Sequence, residues 1–171
     1  MGCMGEYGLT YLEELQEAEA YQDFLMVELS KHGLFVQCFG SRYYQYNYGE
    51  SIQGIEIKHD KKCEKTGNLY IEVAERRDPD KTDYVPGGIM RDDNTWLYIV
   101  GTDRTAFAMS KLHLRNIYDE AKAREAQGRS MKGIRLVETP TSKGMLVRLD
   151  VARQYLIVKE FRFEKPFRYE S

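Results

Sequence analysis

The segment GIEIKHDKKCEKTGNLYIEVAE, residues 54–75, decides the fold, because apolar and polar residues alternate in it on both sides of a charged loop. Strict alternation over several residues is typical of a half-buried β-strand. The loop, residues 61–67, ends in Thr-Gly-Asn, which favours a turn. We therefore predict a β-hairpin with strands at 52–60 and 68–75.

One face of this predicted hairpin is acidic. Successive strand residues point to opposite faces, so Glu56, Lys58 and Asp60 share a face, and Tyr70 and Glu72 share the matching face of the second strand. Glu56 would lie opposite Glu72, with Cβ atoms about 5 Å apart. Carboxylates that close need a proton or a cation between them. The pattern predicts that Glu56, Asp60 and Glu72 bind Mg²⁺ or Mn²⁺ and that Lys58 orients a phosphate or the attacking water. The alternative is that these charged residues only form a solvated face of the hairpin.

The rest of the chain extends this unit on both sides. A Thr-x-x-Glu capping box at residue 10 opens a helical pattern over 10–32. The tyrosine-rich segment 42–48 suits a strand edge or an ordered loop, and 78–93 a long surface loop. The other predicted elements are a helix at 110–127, capped by Ser110, a helical turn at 151–155, and strands at 34–39, 95–100, 105–109, 133–137, 145–149 and 156–163.

Bulk properties restrict the class of protein. A length of 171 residues fits a single domain, and a net charge of −2 argues against a uniformly basic nucleic-acid-binding surface. The sequence predicts neither a signal peptide nor a membrane span. Three cysteines without a C-x-x-C pair indicate neither a zinc ribbon nor a redox motif. We expect a cytoplasmic protein that does not bind membranes.

Residues 54–60 and 66–75 resemble the core of the PD-(D/E)xK nuclease superfamily. The resemblance implies an α/β (α+β) fold with a mixed central β-sheet flanked by helices, the restriction-endonuclease-like αβββαβ core. It covers about residues 10–127, so that 128–171 would be a β-rich C-terminal extension of the single domain 1–171. It also implies cleavage of DNA, or of RNA, with Mg²⁺ or Mn²⁺ as cofactor.

The resemblance implies roles for individual residues. In the first alignment Glu72 is the acid of the third core strand, and Asp60 or Glu56 is the acid of the second. Ala74 stands where the family has its lysine, so Lys58 on the neighbouring strand would supply the amine.

A second alignment places the motif one strand earlier. Glu56-Ile57-Lys58 would then be the ExK motif itself, with Glu50 as the preceding acid. Five intervening residues are few for two strands of a hairpin, which ranks this alignment second. In either alignment a glutamate of the first helix, Glu14 or Glu17, would complete the metal shell.

Nucleic-acid contacts are predicted beside the hairpin. Tyr44 and Tyr46 could stack on exposed bases, or the tyrosines could pack against the domain. Lys61 and Lys62 could contact a phosphate backbone, or they could lie in a solvated turn. The predicted function is that of a metal-dependent endonuclease or exonuclease acting on DNA. The alternative is a catalytically inactive nucleic-acid- or protein-binding module on the same fold, from a phage or another mobile element. The sequence leaves a homodimer open.

Overall fold

The computed structural model describes residues 6–76 and 83–169. Within these ranges the helices are α1 (Glu6–Ser30), α2 (Arg42–Tyr48), α3 (Cys63–Thr66), α4 (Lys111–Ala126) and α5 (Leu149–Tyr155), with a 3-10 turn at Gly88–Met90. The strands are β1 (Ile55–His59), β2 (Asn68–Glu75), β3 (Val85–Pro86), β4 (Leu97–Gly101), β5 (Thr105–Ser110), β6 (Ile134–Glu138), β7 (Ser142–Arg148) and β8 (Ile157–Arg162). None of the described helices is long and apolar enough to cross a membrane.

The described strands form two four-stranded sheets. The first has the order β1-β4-β5-β8, in which β1 is parallel to β4 and the other pairs are antiparallel. The second has the order β3-β2-β7-β6 and is antiparallel throughout. The predicted mixed class of helices and strands is confirmed, with strands divided over two sheets where one central sheet was expected. Residues 128–169 supply strands to both sheets.

The predicted hairpin is wrong, because β1 and β2 belong to different sheets. The loop between them contains α3, whose first amides are capped by Asp60: its Oδ1 accepts hydrogen bonds from the backbone of Lys62 and Cys63, both at 3.0 Å. Gly67 ends the helix in the left-handed conformation, with φ of 68°. The chain therefore passes from one sheet to the other, and Glu56 does not lie opposite Glu72 as a register partner.

Three further predictions need correction. Residues 34–39 form no strand, and only Cys38 makes an isolated bridge, to Ser51. The segment 42–48 is a helix, α2, and the side chain of Gln45 donates back to the Phe39 carbonyl that precedes it. Helix α1 begins at Glu6, so the capping box at residue 10 lies inside it.

Other elements are confirmed. Strand β4 is buried along its whole length, and β5 follows it. Ser110 caps α4, its hydroxyl accepting from the His113 amide at 3.3 Å. The C-terminal strands and the short helix α5 also form as predicted. Of the predicted loop 78–93, the part at 78–82 lies outside the described residues, and the remainder contains β3 and the 3-10 turn.

Apolar packing places the two faces of the first sheet in different environments. On one face, α1 packs its Tyr21, Leu25 and Leu29 against Ile55 and Ile57 of β1. The other face meets the second sheet in the main core, formed by residues such as Tyr98, Val100, Phe107, Leu69, Ile71, Met145 and Val147. In the parallel register Glu56 lies beside Tyr98 and Lys58 beside Val100. Alternation therefore turns both charged side chains toward the second sheet.

Candidate functional site

The centre of the candidate site is Glu56, a carboxylate in the interior of the protein. Glu56 is only 2% exposed. Oε1 lies 3.0 Å from the Lys58 ammonium, whereas Oε2 is buried without a hydrogen-bond partner in the structure. An unsatisfied oxygen on a buried carboxylate is costly. Glu56 therefore offers a free acceptor at a place where a fold normally satisfies every polar atom.

Glu50 supplies a second carboxylate to the same ammonium. It lies between α2 and β1, and its Oε1 accepts a hydrogen bond from Lys58 at 2.9 Å. Its other oxygen accepts from the Ile57 backbone at 3.3 Å. The turn into β1 is fixed by Ser51, whose hydroxyl both donates to the Ile55 carbonyl and accepts from the Ile55 amide. The acid of the second predicted alignment is thus in contact with the Glu56-Ile57-Lys58 segment.

Glu72 approaches this group from the second sheet. Burial raises the pKa of Glu72 to about 7; Lys58 acts against this shift, and the carboxylates of Glu75, Glu56 and Glu50 add to it. Gly88 lies against the Glu72 backbone, and Gly87 lies against its carboxylate. The candidate site is the set of Glu50, Glu56, Lys58 and Glu72, which we call the acidic cluster.

The acidic cluster carries more negative than positive charge. Burial works to lower the pKa of Lys58, but Glu50 and Glu56 outweigh it and hold that pKa well above its ordinary range. Burial raises the pKa of Glu56 despite the nearby ammonium. Burial, with Glu56, also raises the pKa of Tyr98. Glu50 and Glu56 contact the Lys58 ammonium, and Glu72 adds a third carboxylate that senses the charge of the same group. Three carboxylates and one ammonium leave two uncompensated negative charges when all are ionised, and a cation would compensate them.

The residues present fit a divalent cation held by few protein ligands. No three His, Cys, Asp or Glu side chains in the described ranges are grouped as a ready-made metal centre. Mg²⁺, however, is commonly bound by one or two carboxylates, with water and substrate phosphate completing its octahedron. The free Oε2 of Glu56 provides such a ligand atom, and Glu50 and Glu72 are the neighbouring carboxylates.

Asp60 and Glu14, two predicted members of the site, lie elsewhere. The Asp60 carboxylate caps α3, and its second oxygen accepts from the Tyr70 backbone at 3.0 Å. All of these partners are backbone amides, so Asp60 connects β1 to β2 and does not join the acidic cluster. Glu14 is exposed on α1.

The predicted nucleic-acid-binding residues separate into two groups. Lys61 pairs with Glu17 at 2.5 Å, and Lys62 is exposed beside it, both just beyond the carboxyl end of β1. Tyr44 and Tyr46 are 48% and 67% exposed on α2, which precedes the amino end of β1. Only the tyrosines adjoin Glu50 in the chain.

The sequence patterns missed a buried ion pair that supports the site. Lys111, 2% exposed at the start of α4, donates to Asp93 Oδ1 at 2.6 Å and to the Arg91 carbonyl at 2.8 Å. Arg115, one turn later, donates to the carbonyls of Ile89 and Arg91. Together they tie residues 89–93 to the start of α4. No local motif connects these partners, which are 18 or more residues apart.

Gly88 provides the close approach of the segment 88–95 to Glu72. It has φ of 47°, and a Cβ there would stand 2.3 Å from the Glu72 carbonyl oxygen. We expect Gly88→Ala to lower the free energy of unfolding by about 3 kcal/mol, since both the backbone conformation and the contact disfavour a side chain. Gly67→Ala is the control: φ is 68°, but nothing lies within 4 Å of its Cβ, and about 1 kcal/mol is expected. Urea unfolding measures both, and equal losses would contradict the close contact.

The raised pKa of Glu72 predicts a pH dependence of stability. An unfolded glutamate titrates near about 4.3, so the folded chain, with a pKa of about 7, binds this proton more tightly. Stability from this group is therefore full below about pH 4.3 and is lost as the pH rises through about 7. Relative to Glu72→Gln, the metal-free wild type should lose on the order of 2 kcal/mol between pH 4 and pH 8. A constant difference across that range would contradict the buried position.

Comparisons of the chain with protein-family models, with curated proteins and with solved structures find no match. The resemblance to the PD-(D/E)xK superfamily therefore stays a prediction from the sequence. The geometry and charge of the acidic cluster are what support a function.

Proposed function

We propose that this protein is a divalent-metal-dependent nuclease that hydrolyses phosphodiester bonds of DNA at the acidic cluster. The observation that carries the proposal is the buried Glu56, which shares an ammonium with Glu50 yet keeps one oxygen unpartnered. A stabilising structural ion pair would satisfy both oxygens, because breaking or half-satisfying a buried charge pair is costly. A free carboxylate oxygen beside a lysine suits binding of a cation and of a phosphate.

The carboxylates and the lysine of the acidic cluster have different roles in this proposal. Glu56, with Glu50 or Glu72, would hold Mg²⁺ or Mn²⁺, which supplies an activated water and polarises the phosphoryl oxygen. Lys58 stays protonated, because its two carboxylate partners raise its pKa. Its ammonium donates to a non-bridging phosphate oxygen and stabilises the negative charge that develops there. Contact with two carboxylates fixes the position of that ammonium before substrate binds.

The surroundings of the cluster suit this chemistry. Tyr98, 1% exposed, and the second sheet keep water from one side of Glu56, and charge interactions are stronger where water is excluded. A reducing cytoplasm, where nucleic acid is available, also suits the free thiols of Cys38 and Cys63.

The first test is a cleavage assay with the purified chain. Supercoiled, linear and single-stranded DNA, and RNA, are incubated with Mg²⁺, with Mn²⁺ and with EDTA. We expect cleavage of at least one substrate that requires metal and that falls by about 10²-fold or more in Lys58→Met. The matched control is Lys143→Met, since Lys143 is also a paired lysine of similar exposure, 42% against 39% for Lys58.

Two results would refute the nuclease. One is the absence of metal-dependent cleavage on every substrate, and the other is cleavage by Lys58→Met at the wild-type rate. Binding of nucleic acid that is indifferent to metal, without cleavage, would instead indicate the catalytically inactive binding module.

A further inference from the structure

Helix α2 exposes an unusual number of aromatic rings. None of its seven residues is buried, and Tyr43, Tyr44, Tyr46 and Tyr48 are 48–68% exposed. Large aromatic side chains usually contribute to cores, where burial stabilises the fold. Four of them on one short exposed helix indicate a surface that binds something.

The rings are arranged in an ordered way. Phe39, Tyr44 and Tyr48 stack in series, with centroids 5.7 and 5.5 Å apart and ring planes within 23° of parallel. Tyr43 meets Tyr44 edge-on, at 86°. In the described part of the chain no other ring stacks on Tyr46. Tyr44 and Tyr48 thus support the group, and Tyr43 and Tyr46 are its two most exposed rings, at 68% and 67%.

Helix α2 is held firmly beside the acidic cluster. The Arg91 guanidinium donates to the Gln45 carbonyl, and the Asn94 amide donates to the Tyr48 carbonyl at 3.0 Å. Tyr48 precedes Glu50 by two residues, so the tyrosine surface continues into the proposed nuclease site. The segment 88–95 that carries these donors also covers Glu72.

The charge of this region suits a polyanion. Residues 29–49 contain no Asp or Glu, although the chain has 27 acidic residues. Arg42 is exposed at the start of α2. Aromatic faces beside positive charge are the usual means of binding single strands, because every base has a face that stacks.

We infer that the tyrosine surface of α2 binds unpaired bases, so that the substrate of this protein is single-stranded nucleic acid or a single-stranded segment next to a duplex. The inference rests on the proposed nuclease function for the chemistry at the acidic cluster. Bases stacked on Tyr43 and Tyr46 would place the following phosphates beside Glu50 and Lys58. A duplex, whose bases are already stacked on each other, cannot use these rings.

Fluorescence anisotropy in EDTA tests the inference without cleavage. The probes are a labelled 20-nucleotide oligothymidine and a blunt duplex of the same length. We expect the wild type to bind the single strand at least tenfold more tightly, and the double variant Tyr43→Ala/Tyr46→Ala to lose at least tenfold of that affinity, since base stacking on one ring contributes about 1–3 kcal/mol. Tyr43→Phe/Tyr46→Phe keeps the rings and should bind within about threefold of wild type.

The control is Tyr155→Ala, because Tyr155 is a tyrosine of similar exposure, 60%, on α5; it should bind as wild type does. Equal affinity of the wild type for strand and duplex, or an unchanged affinity of the alanine double variant with its melting temperature intact, would overturn the inference. If the double variant loses single-strand affinity while no metal supports cleavage, base binding by the tyrosine surface is supported and the nuclease function is refuted. If metal-dependent cleavage occurs but the tyrosine substitutions do not change binding, the nuclease function is supported and base binding by the tyrosine surface is refuted.

Discussion

Glu56→Gln is expected to lower metal-dependent cleavage by about 10³-fold while leaving the free energy of unfolding within about 1 kcal/mol of wild type. The amide has nearly the shape of the carboxylate but cannot supply a charged metal ligand. The neutral amide avoids the cost of burying a charge, the same cost that raises the pKa of Glu56. This gain in free energy offsets the lost contact with Lys58. The Lys58 ammonium still has Glu50 as a partner, at 2.9 Å. Loss of activity without loss of stability distinguishes a functional carboxylate from a structural one.

Rates, Mn²⁺ binding by calorimetry and urea unfolding measure this prediction independently. Glu138→Gln is the matched control, because Glu138 also pairs with a lysine but is 58% exposed on the second sheet; it should change none of the three. Cleavage within tenfold of wild type would exclude Glu56 as a metal ligand. A loss of more than about 3 kcal/mol in stability would show that the ion pair is structural.

Asp93→Ala is expected to lower the free energy of unfolding by about 3–5 kcal/mol. It would leave the buried Lys111 ammonium with only the Arg91 carbonyl as partner. The ammonium and carboxylate side chains are 3% and 1% exposed, and the Asp93 pKa, which burial alone would raise, is held below its usual range by hydrogen bonds from Lys111 and Thr95. The lost pair would also release the segment 88–95 from Glu72, so cleavage should fall with stability.

Chemical denaturation of two further variants completes this experiment. Asp150→Ala breaks an exposed pair with Arg148 and should lower the free energy of unfolding far less than Asp93→Ala does, because water screens an exposed ion pair. Asp93→Leu combined with Lys111→Met replaces the buried pair by apolar side chains and should recover most of the loss. A single-variant loss below about 1 kcal/mol, or no recovery in the double variant, would contradict a buried pair that holds the segment.

Local patterns predicted the elements well because burial of a strand or helix follows its own residues. The alternation at Ile55 and Ile57 correctly assigned Glu56 and Lys58 to the other face. The continuous apolar run that became β4 correctly predicted a strand buried on both sides. Trp96 shows the limit of such patterns: it belongs to the same apolar run and directly precedes β4, yet it is 60% exposed, with its indole nitrogen donating to the Gln53 carbonyl.

Strand pairing could not be predicted, because it depends on distant residues. Strand β1 pairs with β4, and β2 pairs with β3 and β7, and nothing in residues 54–75 specifies any of these partners. A Thr-Gly-Asn sequence fits a hairpin turn, but here Gly67 ends a one-turn helix. Asp60 was assigned to the site by alternation and by the family resemblance, whereas its carboxylate accepts from the backbone at the start of that helix.

The site residues were likewise predictable where they share a strand and unpredictable where distant elements bring them together. Lys58 and Glu56 lie on one strand, so their shared face was predictable. Glu50 ranked low because its spacing was judged against a hairpin, and it reaches Lys58 from a turn instead. Glu72 comes near these residues through the packing of one sheet on the other, which no local spacing encodes.

The chain alternates between the sheets: β1 enters the first, β2 the second, β4 and β5 the first, β6 and β7 the second, and β8 the first again. During synthesis on a ribosome, β2 therefore emerges long before β7, the neighbour with which it forms most of its ladder. Domains fold as units once their sequence is available. A nascent chain that has not reached residues 142–148 cannot fix Glu72 in place, so the acidic cluster is assembled only after β7 has emerged.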